Sequence, residues 1–395
     1  MPDKLGAAAG ARYPVKTGVA GGRRTGDSSD MDLNDGLRRL AVRGGDLTEV
    51  RTELDRLLRR AIGYDIAAIS TVDPATLLWT SCFVTGIGYD GGGERERIIF
   101  DLEFRDADLN GYARLANAAV PVAGLHQATG GRISEAVRYE PLLRELGVID
   151  EARVMLRSRN GCWGSLTLYR RAPAPPFGTA ELTALAGAVP LIADLFRLTL
   201  LRAALAVPDG VEQPPGMLLV RSGGRVETLS TQARVWLEAV DDRGRIPSAV
   251  WSVAAAAQAG NAPATAALPA RGGRWVVLHG SPIEGSDDRV ALIIEGARPA
   301  VLAGVVARAY DLTAREREVT ALTAQGRSTR QMAGVLGISP FTVQDHLKAV
   351  FTKTGTHSRG ELVAALHTRH YAPKAAAGAA PSPYGWYLDD GMPAE

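Results

Sequence analysis

Residues Leu312 to Leu366 read LTAREREVTALTAQGRSTRQMAGVLGISPFTVQDHLKAVFTKTGTHSRGELVAAL, and the start and stop signals of four short helices are written in them. Thr313 is followed three residues later by Glu316, Ser328 by Gln331, and Ser358 by Glu361. Each pair is a capping box, in which a hydroxyl and a later carboxylate or amide satisfy orphan backbone donors at a helix start. Ser339 before Pro340 is an N-cap followed by proline at the first helical position. Gly337 and Gly355 stand where the second and third helices should stop, since glycine adopts the left-handed cap without strain. Only Gly337, Ile338 and Ser339 separate those two helices, which is the length and chemistry of a helix-turn-helix.

Apolar spacing supports the same four helices. Val319 and Leu322 line the first, Met332, Ala333 and Leu336 the second, and Leu362, Val363 and Leu366 the fourth. In the third, Val343, Leu347, Val350 and Phe351 form one apolar stripe. At about 100° per residue the opposite face carries Phe341, Asp345, Lys348 and Thr352, with Gln344 on its flank. Between Tyr310 and His370 eight basic side chains face five acidic ones, a net charge of +3 that attracts phosphates.

This segment resembles the DNA-binding domain of the LuxR family of transcription regulators. The matching residues are LTxRExEV at Leu312 to Val319, Gly326-x-Ser328, and Ala333-xx-Leu336-Gly337-Ile338-Ser339. Thr342-Val343-xx-His346-Leu347, Lys353-x-Gly355 and Ser358-Arg359-x-Glu361-Leu362 follow in order. The resemblance implies that the third helix lies in the major groove and that the protein binds a two-fold site on double-stranded DNA as a homodimer. Carried over by position, it places Gln344, Asp345 and Lys348 at base edges. It places Thr342, Lys353, Arg359 and the helix start at Ser328, Thr329 and Arg330 near phosphates. Two departures reduce positive charge: Gln344 and His357 occupy positions that are often basic in the family. Asp345 has two open readings, as an acceptor for a cytosine amino group or as an i,i+3 partner that orients Lys348. His346, beside the apolar stripe, reads as a packed, hydrogen-bonded residue.

A length of 395 residues suggests two to four domains. The net charge of +2 is near neutral, so any affinity for nucleic acid is local to the C-terminal module. Two cysteines, Cys82 and Cys162, fit a reducing cytoplasm rather than a disulfide scaffold. Arg23-Arg24 has no apolar stretch after it, and no run approaches the roughly 18 apolar residues of a membrane span. The expectation is a cytoplasmic protein without a membrane partner. Residues 1–30 read as a disordered tail, with Met31 as an alternative start, and residues 372–395 as a second disordered tail.

Residues 31–205 read as an α+β domain. Leu47 to Ile62 is helical; Ala67 to Val72 and Trp79 to Val84 are strands. A loop from Gly86 to Glu96 leads to a third strand near Arg97 to Phe100, and helices follow near Asp106 to Ala118 and Ser134 to Leu146. Two closing strands, Glu151 to Arg157 and Trp163 to Tyr169, meet at the turn Asn160-Gly161. The stretch Asn160 to Tyr169, followed by Phe177 to Leu182 opening a helix, resembles a GAF sensory domain. That resemblance implies an antiparallel sheet with a pocket on one side, used for a small ligand or a dimer contact. In the closing helix Leu182, Leu185, Val189, Ile192, Phe196 and Leu200 form a seam around Pro190. It suits either a coiled-coil-like dimer contact or packing on the domain's own sheet.

Residues 206–299 begin in a Pro/Gly-rich boundary and read strand, strand, helix, helix, then three strands. The order is similar to a PAS domain, with Ala233 and Trp236 opening the first helix. Residues 300–309 form an apolar linker helix into the helix-turn-helix domain at 310–371. The expected fold class is therefore multidomain α+β: a GAF-like antiparallel sheet with helices, a PAS-like α+β domain, and a C-terminal four-helix helix-turn-helix domain.

Catalytic chemistry finds little support. Gly86-x-Gly88-x-x-Gly91 fits a dinucleotide fingerprint, but a strand-like Ile98-Ile99-Phe100 follows where a helix N-terminus should hold the pyrophosphate. Cys82, Cys162 and His126 share no metal spacing, and a heme or redox role for them is a minority reading. No P-loop, HExxH or nucleophile–base set is present, and no acidic cluster of a phosphoacceptor domain. The sequence thus requires no cofactor and suggests no enzyme. It points to a sequence-specific, dimeric transcription regulator whose DNA binding responds to a small ligand or signal at the sensory region. RNA polymerase would be a further partner of an activator. The alternative is a small-molecule or redox sensor acting through protein partners.

Overall fold

The computed structural model describes residues 33–86, 94–104, 109–159, 161–205, 213–221, 225–240, 245–260, 262–286, 288–297 and 299–368, with the pairs 380–381 and 387–388. The expectations for residues 1–30, for Asp106 and for Asn160 lie outside the described residues, as does the side chain of Leu366.

Helices α1 (Leu33–Arg43) and α2 (Leu47–Ala61) open the chain, the second started by a capping box between Asp46 and Glu49. Strands β1 (Ile66–Val72) and β2 (Trp79–Thr85) follow, then helices α3 (Glu94–Phe104) and α4 (Tyr112–Asn117), strand β3 (Val122–Gly124) and the turn-like α5 (Leu125–Ala128). Strands β4 (Val148–Ser158) and β5 (Gly161–Arg171) and the long helix α6 (Thr179–Leu205) complete the region. The antiparallel sheet has the order β2-β1-β5-β4-β3.

Several expectations are corrected here. Arg97 to Phe100 is no strand: it lies in α3, where Phe100 and Phe104, one turn apart, both reach the Trp79 ring. The ground given for excluding the dinucleotide motif therefore fails, but its topology fails too. β2, the strand ahead of it, is an edge strand that pairs among the described residues only with antiparallel β1, whereas that motif requires a parallel βαβ unit; Gly88 and Gly91 lie outside the described residues. Ser134 to Leu146 is not one α-helix but a 3-10 turn at Ile133–Glu135 and a π-type turn at Tyr139–Leu143. Pro141, which lacks an N–H, sits inside the latter. Gly161, expected in the β4–β5 turn, instead already pairs with Ser158.

For α6 the sequence left two readings open, and the structure decides between them. Its seam of Leu182, Leu185, Val189, Ile192, Phe196 and Leu200 is buried in the core with β-sheet residues Ala152, Val154, Leu166 and Leu168 and with α1 and α2. The seam is consumed by its own chain and offers no dimer contact. Thr179–Ala204 is also long and apolar enough to cross a membrane by length and composition, contrary to the reading that no run approaches that size. The burial of the seam is what its apolar residues are used for.

The next region runs β6 (Gly216–Arg221), β7 (Arg225–Leu229), α7 (Thr231–Val240), α8 (Ser248–Gly260), β8 (Ala264–Pro269), β9 (Trp275–Pro282) and β10 (Arg289–Gly296). The sheet order is β7-β6-β10-β9-β8, the same succession as in the first sheet. Ser230 fixes the start of α7, its hydroxyl accepting from the N–H groups of Met217 (3.0 Å) and Ala233 (3.2 Å). Trp236, buried one turn on, donates its indole N–H to the Pro214 carbonyl at 2.9 Å.

The two sheets are not independent. Ser252 of α8 accepts from the Trp79 N–H at 2.9 Å, and Asp73 at the end of β1 accepts from the Ala267 N–H of β8 at 2.8 Å. Met155 and Trp79 share one apolar core with Val250, Trp251 and Leu278. Helix α9 (Pro299–Ala309) returns to the first core, where Val305, Val306 and Ala309 pack with the α6 seam, and Arg197 donates to the Ala309 carbonyl. Helices α10 (Ala314–Ala324), α11 (Thr329–Leu336), α12 (Pro340–Thr354) and α13 (Arg359–Thr368) then form the last module. Within 372–395, read as a disordered tail, the described residues are one short antiparallel pairing of Ala380–Pro381 with Tyr387–Leu388.

Candidate nucleic-acid interface

The helix boundaries of the last module follow its caps. Thr313 and Glu316 form a complete capping box at α10, as do Ser328 and Gln331 at α11. Ser339 caps α12, accepting from the Thr342 N–H at 3.0 Å with Pro340 in the first turn. Gly337 and Gly355 end α11 and α12 in the left-handed conformation, both at φ 65°. The fourth start differs in detail. Ser358 accepts from the Glu361 N–H at 3.1 Å, but the Glu361 carboxylate takes the N–H of His357 rather than that of Ser358.

Val343, Leu347 and Val350 turn inward and are buried, the first two against Val319, Met332 and Ala333. Val350 packs with Leu312 and Leu362. This fixes the roll of α12, so Phe341, Gln344, Asp345, Lys348 and Thr352 are all exposed to solvent. His346 is half-buried beside the stripe. No other part of the described chain walls in the exposed face. The Asp345 and Lys348 side chains are 54% and 76% exposed and stand 3.9 Å apart. That is the outer limit of an ion pair, at an exposure where such pairs contribute almost nothing. Both groups therefore remain available to a ligand.

The residues read as phosphate contacts divide into two groups. Arg359 at the start of α13 reaches across to α11, donating to Thr329 Oγ1 at 2.6 Å and towards the Arg327 carbonyl at 3.4 Å. It thereby joins Ser328, Thr329 and exposed Arg330 in one corner. The Ser328–Gln331 box satisfies its own two N–H groups and leaves those of Thr329 and Arg330 without an intrahelical acceptor. Thr342 lies at the start of α12, its hydroxyl 2.8 Å from that of Ser339.

Lys353 is placed otherwise. Its ammonium donates to Glu316 Oε2 at 2.7 Å and to the Asp311 carbonyl at 3.0 Å, tying the end of α12 to the start of α10. Burial alone would raise the Glu316 carboxyl, but hydrogen bonds from Lys353 and the Thr313 N–H outweigh it and hold the group below the ordinary carboxylate range. Lys353 is a clamp inside the module. Arg315, which donates to the Leu336 carbonyl at 3.1 Å, is a second one. Neither clamp was legible in the sequence, because spacing along one helix says nothing of which carbonyl a long side chain reaches.

Residues 311–366 match the family model of bacterial regulatory proteins, luxR family. That module begins two residues after α9. No curated protein matches the chain. Among solved structures, SdiA in complex with octanoyl-rac-glycerol is 13% identical with a TM-score of 0.34, covering 87% of this chain and 97% of that one. A phage VqmA–DPO complex is 18% identical with a TM-score of 0.23, covering 40% and 83%. The VqmA dimer of Vibrio cholerae without target DNA is 16% identical with a TM-score of 0.20, over the same shares. At these scores none of the three bears on the fold or the ligand of this chain.

The first sheet has its own polar and aromatic face. Trp79, Phe100, Phe104 and Tyr112 form a ring cluster with centroids 5.2 to 6.5 Å apart. Beside it Arg138 donates to Glu151 at 2.9 Å and Arg153 to Glu103 at 3.0 Å, all buried. Arg153 also lies 4.9 Å from the Tyr112 ring centre. The cysteines are not activated. Burial, then the Glu96 carboxylate, pushes the Cys82 thiol up to about 11, and burial raises Cys162. His126 uses its backbone N–H on Asp150, 2.8 Å away. Among the described residues no group of His, Cys, Asp and Glu side chains is arranged to hold a metal ion.

Proposed function

We propose that the protein is a LuxR-type, DNA-binding transcription regulator that acts in the cytoplasm as a homodimer on a two-fold duplex site. α12 enters the major groove with Gln344, Asp345 and Lys348 towards base edges. Arg330, Arg359, Thr342 and the α11 N-terminus hold phosphates. The observation that carries this reading is the roll of α12: buried Val343, Leu347 and Val350 opposite an open face that carries Gln344, Asp345 and Lys348, within a segment that matches the luxR family.

The sensory part of the reading assigns the first two regions GAF-like and PAS-like roles. Their common strand order and the buried ring and arginine–glutamate cluster support it. A small molecule seated there shifts DNA affinity only by its differential affinity for two arrangements of the chain. The raised cysteine thiols speak against the redox form of the alternative.

A mobility-shift titration against the DNA upstream of the gene tests the proposal. Two arginines per head on two heads contact about four phosphates, so affinity falls roughly a hundredfold between about 50 and 200 mM salt. Binding that is indifferent to salt, or absent, favours a protein-docking role for the helical module.

A further inference from the structure

Among the described residues Phe341 is, at 70%, the most exposed aromatic side chain of the chain. It sits at the second position of α12, one turn before Gln344 and Asp345 and two before Lys348, on one face. The start of the helix is rigid: Pro340 fixes its first dihedral and the Ser339 cap closes its first turn. The Cα–Cβ bond of Phe341 therefore leaves the helix in one fixed direction. Its neighbours on that face are all donors or acceptors, so it is an isolated apolar group in a polar strip rather than part of an apolar docking patch. The edge of a base pair in the major groove has the same composition, with hydrogen-bonding atoms and one apolar feature, the C5 methyl of thymine. The geometry points to Phe341 as a specificity-determining residue that packs on a thymine methyl in each half-site. This rests on the reading of α12 as the base-reading helix.

The test uses the full chain and a duplex enriched by it from a randomised library. Each thymine is replaced singly by deoxyuridine, which removes the methyl and leaves the pairing intact. One thymine per half-site is expected to lose about three- to tenfold in affinity, the scale set by burying one methyl group. With Phe341→Ala that penalty disappears, while Phe341→Leu retains part of it. Phe341 is exposed, so neither variant removes core packing. A wild-type chain indifferent to every thymine methyl overturns the assignment, and so does a penalty that survives in Phe341→Ala. If those results come with a selected sequence that Gln344→Ala and Lys348→Ala alter, base reading by α12 stands and only the role of Phe341 falls. If no sequence is enriched, both fall.

Discussion

Lys353 and Glu316 show how a single contact changes the meaning of a residue. A lysine near the end of a recognition helix reads as a phosphate contact, yet its ammonium is spent on a carboxylate that is 7% exposed. Replacing it with methionine leaves that carboxylate buried without its main partner, which costs about 1–3 kcal/mol. The pH dependence has a definite sign. Because the folded Glu316 carboxyl is held below its unfolded value, its contribution is present above the ordinary carboxylate pKa and is lost as pH falls through the folded value. The difference in melting temperature between the native chain and Lys353→Met is therefore widest near neutral pH and narrows below about pH 4. Calorimetric scans over that range check it. A difference that does not vary with pH assigns the effect to packing instead.

At the scale of elements, the choice of residue at Gly337, in the turn between α11 and α12, depends on backbone conformation alone. Nothing lies within 4 Å of a side-chain carbon built at Gly337, but its φ of 65° is strained for any other residue. Gly337→Ala is expected to destabilise the module by about 1 kcal/mol without a steric clash. Equilibrium urea unfolding followed in the module measures this, and an unchanged midpoint would contradict the assigned strain. Such local signals explain what could be read directly. Caps, glycine stops and a two-helix turn are encoded within a few residues, so all four helices of the module were legible, with the open face of α12. The elements that misled depend on distant partners. Ile98-Ile99-Phe100 looks like a strand until Phe100 and Phe104 are seen to reach Trp79. β3, three residues long, has no period to detect and exists only by pairing with β4.

At the scale of the whole molecule, the two sheet regions share a core, and α6 and α9 pack side by side before the helix-turn-helix module begins. The apolar length of α6 was visible in the sequence, but its use was not, since the same seam suits a partner chain or the chain's own sheet. With the seam buried, any two-fold assembly forms through other surfaces. The two sheet regions are joined to the module through α6, Arg197 and the end of α9. The claim on which this rests is that the open side of α12 lies in the major groove. Dimethyl sulfate protection reports it most directly, because the reagent methylates guanine N7 on the groove floor. With DNA enriched by the full chain, the native protein should protect a guanine in each half-site, and Lys348→Ala should leave that guanine reactive while the complex persists at higher protein concentration. A bound complex with no protected guanine, or with protection unchanged in Lys348→Ala, would contradict the account.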